Sequence, residues 1–336
     1  MKRIFYLPAL VLCLALLLGS CSDDWKGELY DQMVSLKAPV GTEGVYDIYL
    51  RYRTNGKDTF NLPVIISGTQ ANKHDMDVKI RVDSDTLATL NKDQYNDRTD
   101  LYYRQLSQEH FKLSSDICHI PAGTSVKTFP IDFDFTGLNL VDKWVLPLTV
   151  EESNSYTRNR YNGRDKALLN INLFNDYSGS YSASGMNIYF DGETNNPAVV
   201  DTRLSKVVDE NSIFIYAGTV WEEDVNRDLY KVIIKFGPGT MQQDSTVTGK
   251  VTLSAGDPEN RFNLETSGAC TYKIQKVMDT NQPYLMHYYV ILTLDYKYSD
   301  ITSDPDNPVR YNAKGMYTLE RKINTLIPDQ DQAIQW

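Results

Sequence analysis

Four histidines, His74, His110, His119 and His287, are spread through 336 residues without an H-E-x-x-H pair or any comparable metal-ligand spacing. The chain also lacks a G-x-S-x-G elbow and a phosphate-cradling P-loop. Asp132 and Asp134 flank Phe133, and a pair of carboxylates is what glycoside hydrolysis requires. The repeating parallel strand–helix pattern of a barrel hydrolase is missing around them. They read instead as the wet face of a strand that buries Phe129, Ile131, Phe133 and Phe135. Asp300, Asp304 and Asp306 are spaced like part of a calcium loop. Pro305, however, stands where the turn glycine belongs, and Tyr311 where the bidentate glutamate would be. A solvated turn is expected there, with no metal, no cofactor and no catalysis.

Recognition is a better match to the side chains present. There are 23 tyrosines against 11 phenylalanines. A rigid ring with one polar tip stacks on the apolar face of a sugar and also hydrogen-bonds its hydroxyls. Tyrosine equally suits any β-sheet, so the count alone decides nothing. The first candidate glycan site is the polar stretch from Trp221 to Asp228, in which Trp221 is accompanied by Glu222, Asp224, Asn226 and Arg227 between two strong strands. Its alternative is an indole folded back over the sheet edge. The second candidate is Tyr284 and Tyr288, next to Asn281-Gln282-Pro283, with a cross-strand aromatic core as the alternative. A third, Tyr156 with Arg158, Arg160 and Tyr161, could equally be a domain junction. Trp144 and Trp336 are assigned to core packing and C-terminal docking, and Trp25 to a tether.

The formal net charge is −10, and an acidic chain repels phosphate backbones, so nucleic acid is not an expected partner. The length exceeds what one hydrophobic core usually serves, which favours two domains. Cys118 and Cys270 form neither a disulfide framework nor a zinc pattern and read as small buried hydrophobes.

At the N-terminus, Lys2 and Arg3 precede an uncharged apolar run from Ile4 to Leu18, the pattern of a secretory leader and too short to span a bilayer. Leu18-Gly19-Ser20-Cys21 resembles the bacterial lipobox, which implies cleavage before Cys21 and acylation of its thiol. Two or three acyl chains hold a protein firmly on a membrane. Ser22-Asp23-Asp24 is similar to the surface-export signal of Bacteroidetes lipoproteins. The expected organisation is a leader at 1–20, a lipid-anchored tether at 21–31 and domains at 32–175 and 176–336, on the outer face of an outer membrane.

Period-two alternation dominates both halves. Met76, Val78, Ile80 and Val82 alternate with Asp77, Lys79 and Arg81. Tyr230, Val232, Ile234 and Phe236 alternate with Lys231, Ile233 and Lys235. Strands are also read over Val126–Phe135, Trp144–Val150, Ala167–Phe174, Ser212–Val220 and Val309–Arg321, with one short helix at Asp83–Tyr95. Pro63, Pro130 and Pro147 remove ladder donors and are expected at edges or bulges. The fold class is all-β: an N-terminal immunoglobulin-like sandwich, then a second antiparallel β-sandwich or barrel-like domain.

Leu101-Tyr102-Tyr103, Phe111-Lys112-Leu113, Ile120-Pro121-Ala122-Gly123-Thr124, Ile131-Asp132-Phe133 and Leu146-Pro147-Leu148 carry a family likeness. This stretch resembles an immunoglobulin-like domain of unknown function in lipoproteins of Bacteroidetes polysaccharide-utilisation loci. Asp176–Tyr181, Tyr216-Ala217-Gly218 and Tyr311–Arg321 resemble the β-rich domain that often follows it, as in SusE-like or surface glycan-binding proteins. The resemblance implies glycan binding beside a SusC/SusD-like importer and fixes no binding residue. Its rivals are a glycoside hydrolase or accessory module, and a structural or fimbrial-type surface component.

Overall fold

Val78 and Ile80 are buried while Asp77, Lys79 and Arg81 face solvent, and this one-in, one-out rule of the pleat builds both domains. The computed structural model describes residues 31–336 apart from 40, 42 and 141. The leader, Cys21 and Trp25 lie outside the described residues.

The first domain comprises β1 (Met33–Leu36), β2 (Tyr46–Arg51), β3 (Lys57–Ser67), β4 (Met76–Val82), β5 (Arg104–Gln105) and β6 (Phe111–Leu113). It continues with β7 (Ile117–Ile120), β8 (Val126–Asp134), β9 (Trp144–Val150), β10 (Thr157–Arg158) and β11 (Lys166–Phe174). One sheet runs β10-β1-β3-β8-β6 and the other β2-β11-β9-β4-β7, with β5 beside β9. Their inner faces meet over Leu62, Val64, Val78, Phe129, Ile131, Phe133, Leu146 and Leu148, an all-β sandwich as expected. The helix α1 (Ser84–Tyr95) lays Leu87 and Leu90 on Val145 and Leu168, the outward side chains of the second sheet. That cover explains why β9 is buried on both faces.

The three prolines correct the expectation that they would mark edges or bulges, since the register runs through each of them without a shift. β3, β8 and β9 are all inner strands. Each proline carbonyl instead accepts a bond from a residue just past the end of a neighbouring strand: Lys37 N–H for Pro63, Ser114 for Pro130 and Asp83 for Pro147. In an antiparallel strand a residue's nitrogen and carbonyl point to the same flank. Each missing donor therefore faces a ladder that has just run out.

The second domain takes the barrel form of the two expected. Its strands are β12 (Gly179–Phe190), β13 (Thr202–Asp209), β14 (Ser212–Tyr216), β15 (Lys231–Phe236), β16 (Thr240–Met241) and β17 (Val247–Ala255). After these come β18 (Glu265–Thr266), β19 (Thr271–Met278), β20 (Leu285–Asp300), β21 (Val309–Asn324) and β22 (Ile334–Gln335). Eight of them, β12-β13-β14-β15-β17-β19-β20-β21, pair in chain order, and β21 pairs back onto β12. An up-and-down barrel of eight strands has room for its own side chains. Tyr181, Ile213, Ile215, Val232, Ile234, Val290, Leu292, Tyr296 and Tyr317 fill it.

Two arginines are buried in this barrel, one towards each end. Arg203, 1% exposed, donates to the carbonyls of Gly218 and Val220. It thereby pins the turn after β14, where Gly218 has φ +50° and the Tyr298 ring leaves no room for a Cβ. Arg321, 5% exposed, donates from Nη2 to the carbonyls of Asn175 and Ser178 in the interdomain link.

The first domain packs on the outside of the barrel wall. Tyr52, Phe135 and Leu138 face Val208 and Phe214 across a crevice. The strand β14 is thus buried on both faces, and it ends at Tyr216, short of the expected Val220. Arg51 binds Asp176 at 2.7 Å and Asp331 at 2.6 Å, and Thr54 N–H donates to Glu210 Oε1 at 3.0 Å. Trp336 docks back on the first domain as expected, stacked on Tyr49 with ring centroids 4.1 Å apart.

Candidate functional site

Connections of an up-and-down barrel alternate between its two ends, and this separates the residues singled out in the sequence. The β14–β15 connection, carrying Trp221, Glu222, Asp224, Asn226 and Arg227, opens at one end. The β19–β20 connection, with Tyr284 and nearby Tyr288, opens at the other.

At the first end Trp221 is 66% exposed, so it does not fold back over the sheet. Its polar neighbours are engaged elsewhere. Arg227 Nη1 lies 3.2 Å from Asp100 Oδ2, and Nη2 donates to the Asp100 carbonyl at 2.8 Å. Asp224 Oδ1 accepts the Asn226 N–H at 2.7 Å and the Asp224 carbonyl accepts from Arg227 at 2.9 Å. Glu222 is half-buried beside Trp221. The loop is a domain clamp that carries an exposed indole.

Asp300, at the same end, accepts from the Tyr230 hydroxyl at 3.0 Å and from the N–H groups of Thr302 and Ser303. Burial works against its ionisation, but the bonds from Ser303, Thr302 and Tyr230 outweigh it and hold the carboxyl down at about 2. Asp304 caps Asp306 and Asn307 in the same turn. Among the described residues no three His, Cys, Asp or Glu side chains converge to hold a metal ion. Asp132 accepts from the Thr59 hydroxyl on the outer face of β8, while Phe133 is buried. In the third candidate, Tyr156 is core and accepts the Lys79 N–H, Arg158 and Arg160 pair with Glu152, and Tyr161 is exposed.

The opposite end holds a pocket of about 510 Å³, within the usual range for a small-molecule site. β19, β20 and β21 stay paired out to Met278, Met286 and Ile323 and form one wall of this mouth. Lys276, Tyr288 and Arg321 are direct cross-strand partners on β19, β20 and β21, and therefore share one face. Met286 and Ile323 form the next row outward. The tail covers the far side with Ile327, Pro328 and Ile334, and Arg51 and Asp176 close the side towards the first domain.

Lys276 Nζ sits 5.7 Å from the centroid of the Tyr288 ring, and burial pushes the Tyr288 hydroxyl well above its ordinary range. Arg321 stands near Phe174 and Trp336, at 5.7 and 5.5 Å, and its Nε has no hydrogen-bond partner. Tyr284 is 40% exposed at the lip, and its carbonyl accepts the Thr325 N–H and hydroxyl, both at 2.8 Å. Of the residues singled out in the sequence, Tyr288 lines this pocket and Tyr284 touches its wall through Thr325, whereas Arg51, Asp176, Lys276 and Arg321 were not singled out as site residues. One signal was available, since Tyr317, Leu319 and Arg321 alternate along the buried face of one strand.

Comparison with known proteins places this architecture. A domain of unknown function, DUF4973, matches residues 25–154, and a C-terminal domain model matches residues 165–318. A crystal structure of a multidomain protein including DUF1735 from Bacteroides ovatus is 39% identical, covering 91% of this chain and 100% of that one, with a TM-score of 0.79. The chain belongs to the same family as this Bacteroides ovatus protein. A second member, a protein of unknown function from Bacteroides ovatus, is 33% identical over 90% of this chain and 96% of its own, with a TM-score of 0.77. A third solved relative is an auxiliary nutrient binding protein from Bacteroides thetaiotaomicron. It is 32% identical over 88% of this chain and 97% of its own, with a TM-score of 0.76. No curated protein matches this DUF4973 chain. No described helix is long and apolar enough to cross a membrane.

Proposed function

We propose that this protein is a non-catalytic binding protein that captures a nutrient saccharide, with the barrel mouth as its site. The observation that carries this reading is the cross-strand row Lys276–Tyr288–Arg321 facing a 510 Å³ pocket. It combines an aromatic face for the apolar side of a sugar with donors for its hydroxyls. A hydrolase would need two carboxylates flanking the bond to be cut. Asp176, the acid that lines the mouth, is held by Arg51 at 2.7 Å. The likeness to an auxiliary nutrient binding protein over nearly its whole length supports binding over cleavage. The lipobox-like Leu18–Cys21 supports an acylated anchor in the outer membrane, with the barrel outside the cell beside a SusC/SusD-like importer.

Affinity electrophoresis of residues 22–336 against a broad polysaccharide panel tests this. At least one polymer should retard the protein, and Tyr288→Ala should weaken that binding by about tenfold or more. Trp221→Ala should leave it unchanged. Retardation by no polymer would overturn the binding function, and sensitivity to Trp221→Ala alone would move the site to the opposite end.

A further inference from the structure

We infer that the saccharide received by the barrel mouth carries an anionic group, a carboxylate or a sulfate ester, held between Lys276 and Arg321. This rests on the mouth being the binding site. The chain as a whole is acidic, with a net charge of −10, yet three cations line the mouth against one acid. Arg51 is already neutralised by Asp176 and Asp331. Arg321 has no carboxylate within ion-pair distance among the described residues, although it is only 5% exposed and a guanidinium keeps its charge.

Its charge is met by two backbone carbonyls and by the faces of Phe174 and Trp336. Its Nε–H, shielded from solvent, is met by nothing. Asp176 acts on the guanidinium at longer range but is committed to Arg51, so the buried cation is under-compensated at a cost, and a buried donor without an acceptor adds to that cost. An anion in the pocket supplies counter-charge to the guanidinium; the Nε–H, out of reach of a water-sized atom, is not part of that contact. Lys276 likewise pairs with no carboxylate among the described residues and lies over the Tyr288 ring.

The row therefore sets a cation on each side of an aromatic face, each with its Cβ about 5 Å from that of Tyr288. With Nη2 given to two carbonyls and Nε buried, the Arg321 guanidinium acts on an anion as a positive charge rather than as a bidentate fork, and the Lys276 ammonium adds a second point charge beside it. Arg203 has an unpartnered Nε too, but it lies in the packed interior of the barrel. The combination with an open pocket belongs to Arg321.

The test is equilibrium binding of residues 22–336 to polygalacturonate, to chondroitin sulfate and to neutral dextran, galactan and mannan. Arg321 ties the interdomain link and its loss endangers folding, so the diagnostic variant is Lys276→Glu at the exposed rim. An acidic polymer should bind, with affinity falling as NaCl rises from about 20 to about 500 mM. Lys276→Glu should reduce that affinity at least about tenfold, and the two acidic polymers separate carboxylate from sulfate. Binding of neutral polymers alone, lost in Tyr288→Ala, would refute the anionic ligand and leave the mouth as the site. Acidic binding indifferent to Lys276→Glu would also refute it. Binding of no polymer would remove both readings.

Discussion

Arg227 crosses the domain boundary to grip Asp100 twice, through the carboxylate at 3.2 Å and the backbone carbonyl at 2.8 Å. Arg98 holds the other side of the same carboxylate and also donates to the Glu223 carbonyl at 2.7 Å. The Arg98 hydrogen bond, helped by Arg227, keeps the Asp100 carboxyl well below its usual range. Arg227→Ala should release the 221–228 loop from the first domain. Amide exchange over residues 222–229 should accelerate by about tenfold, while amides of β15 and β20 stay protected. Unchanged exchange would show that the loop's own turns suffice to hold it.

Trp336 closes the chain by stacking on Tyr49, with an edge contact to Phe174 at 4.7 Å and Arg321 5.5 Å from its ring. Aromatic pairs contribute about 0.5–1.5 kcal/mol beyond the area they bury. Half of the indole is still exposed. Trp336→Ala should therefore lower the stability measured by urea unfolding by about 1–2 kcal/mol. A loss too small to measure would mean that the strand pairing of β22 anchors the tail unaided.

His287 sits between Asp279, 3.0 Å from Nε2, and Glu320, 2.5 Å from Nδ1. Asp279 first and Glu320 second raise its imidazole pKa above the ordinary value of 6.5. Because the folded value is the higher one, protonation stabilises this hairpin fully below the unfolded pKa, and the gain fades as pH rises through the folded value. The turn carrying Tyr284 should therefore be best protected under mildly acidic conditions and looser in alkaline buffer. Proton NMR titration of the His287 ring, with exchange of the 280–285 amides followed in parallel, measures both. An imidazole that titrates at or below 6.5 would contradict the geometry.

Strands with one wet face were legible in the chain, as Met76–Val82 shows. Thr202–Asp209 was not, because its inward face carries Arg203 and Ser205 where a strand pattern calls for apolar residues. Ser212–Tyr216 reads as an uninterrupted apolar run because its outer face lies under the first domain. The choice between sandwich and barrel rests on β21 pairing with β12, the last long strand with the first, which no local pattern encodes. The candidate site was half legible for a similar reason. Tyr288 lies close to a turn that stands out in the sequence, whereas Arg51 comes from the other domain, Asp176 from the link and Arg321 from the buried face of a strand.

Circular closure of the barrel limits how it meets other molecules. With β21 bonded to β12, none of the eight staves is an edge strand among the described residues, so a visiting polypeptide finds no sheet edge there to extend. Subunit polymerisation by lending a strand, the habit of fimbrial assemblies, would have to proceed through the short border strands of the sandwich. The barrel itself meets its surroundings through side chains, on its outer wall and at its two openings.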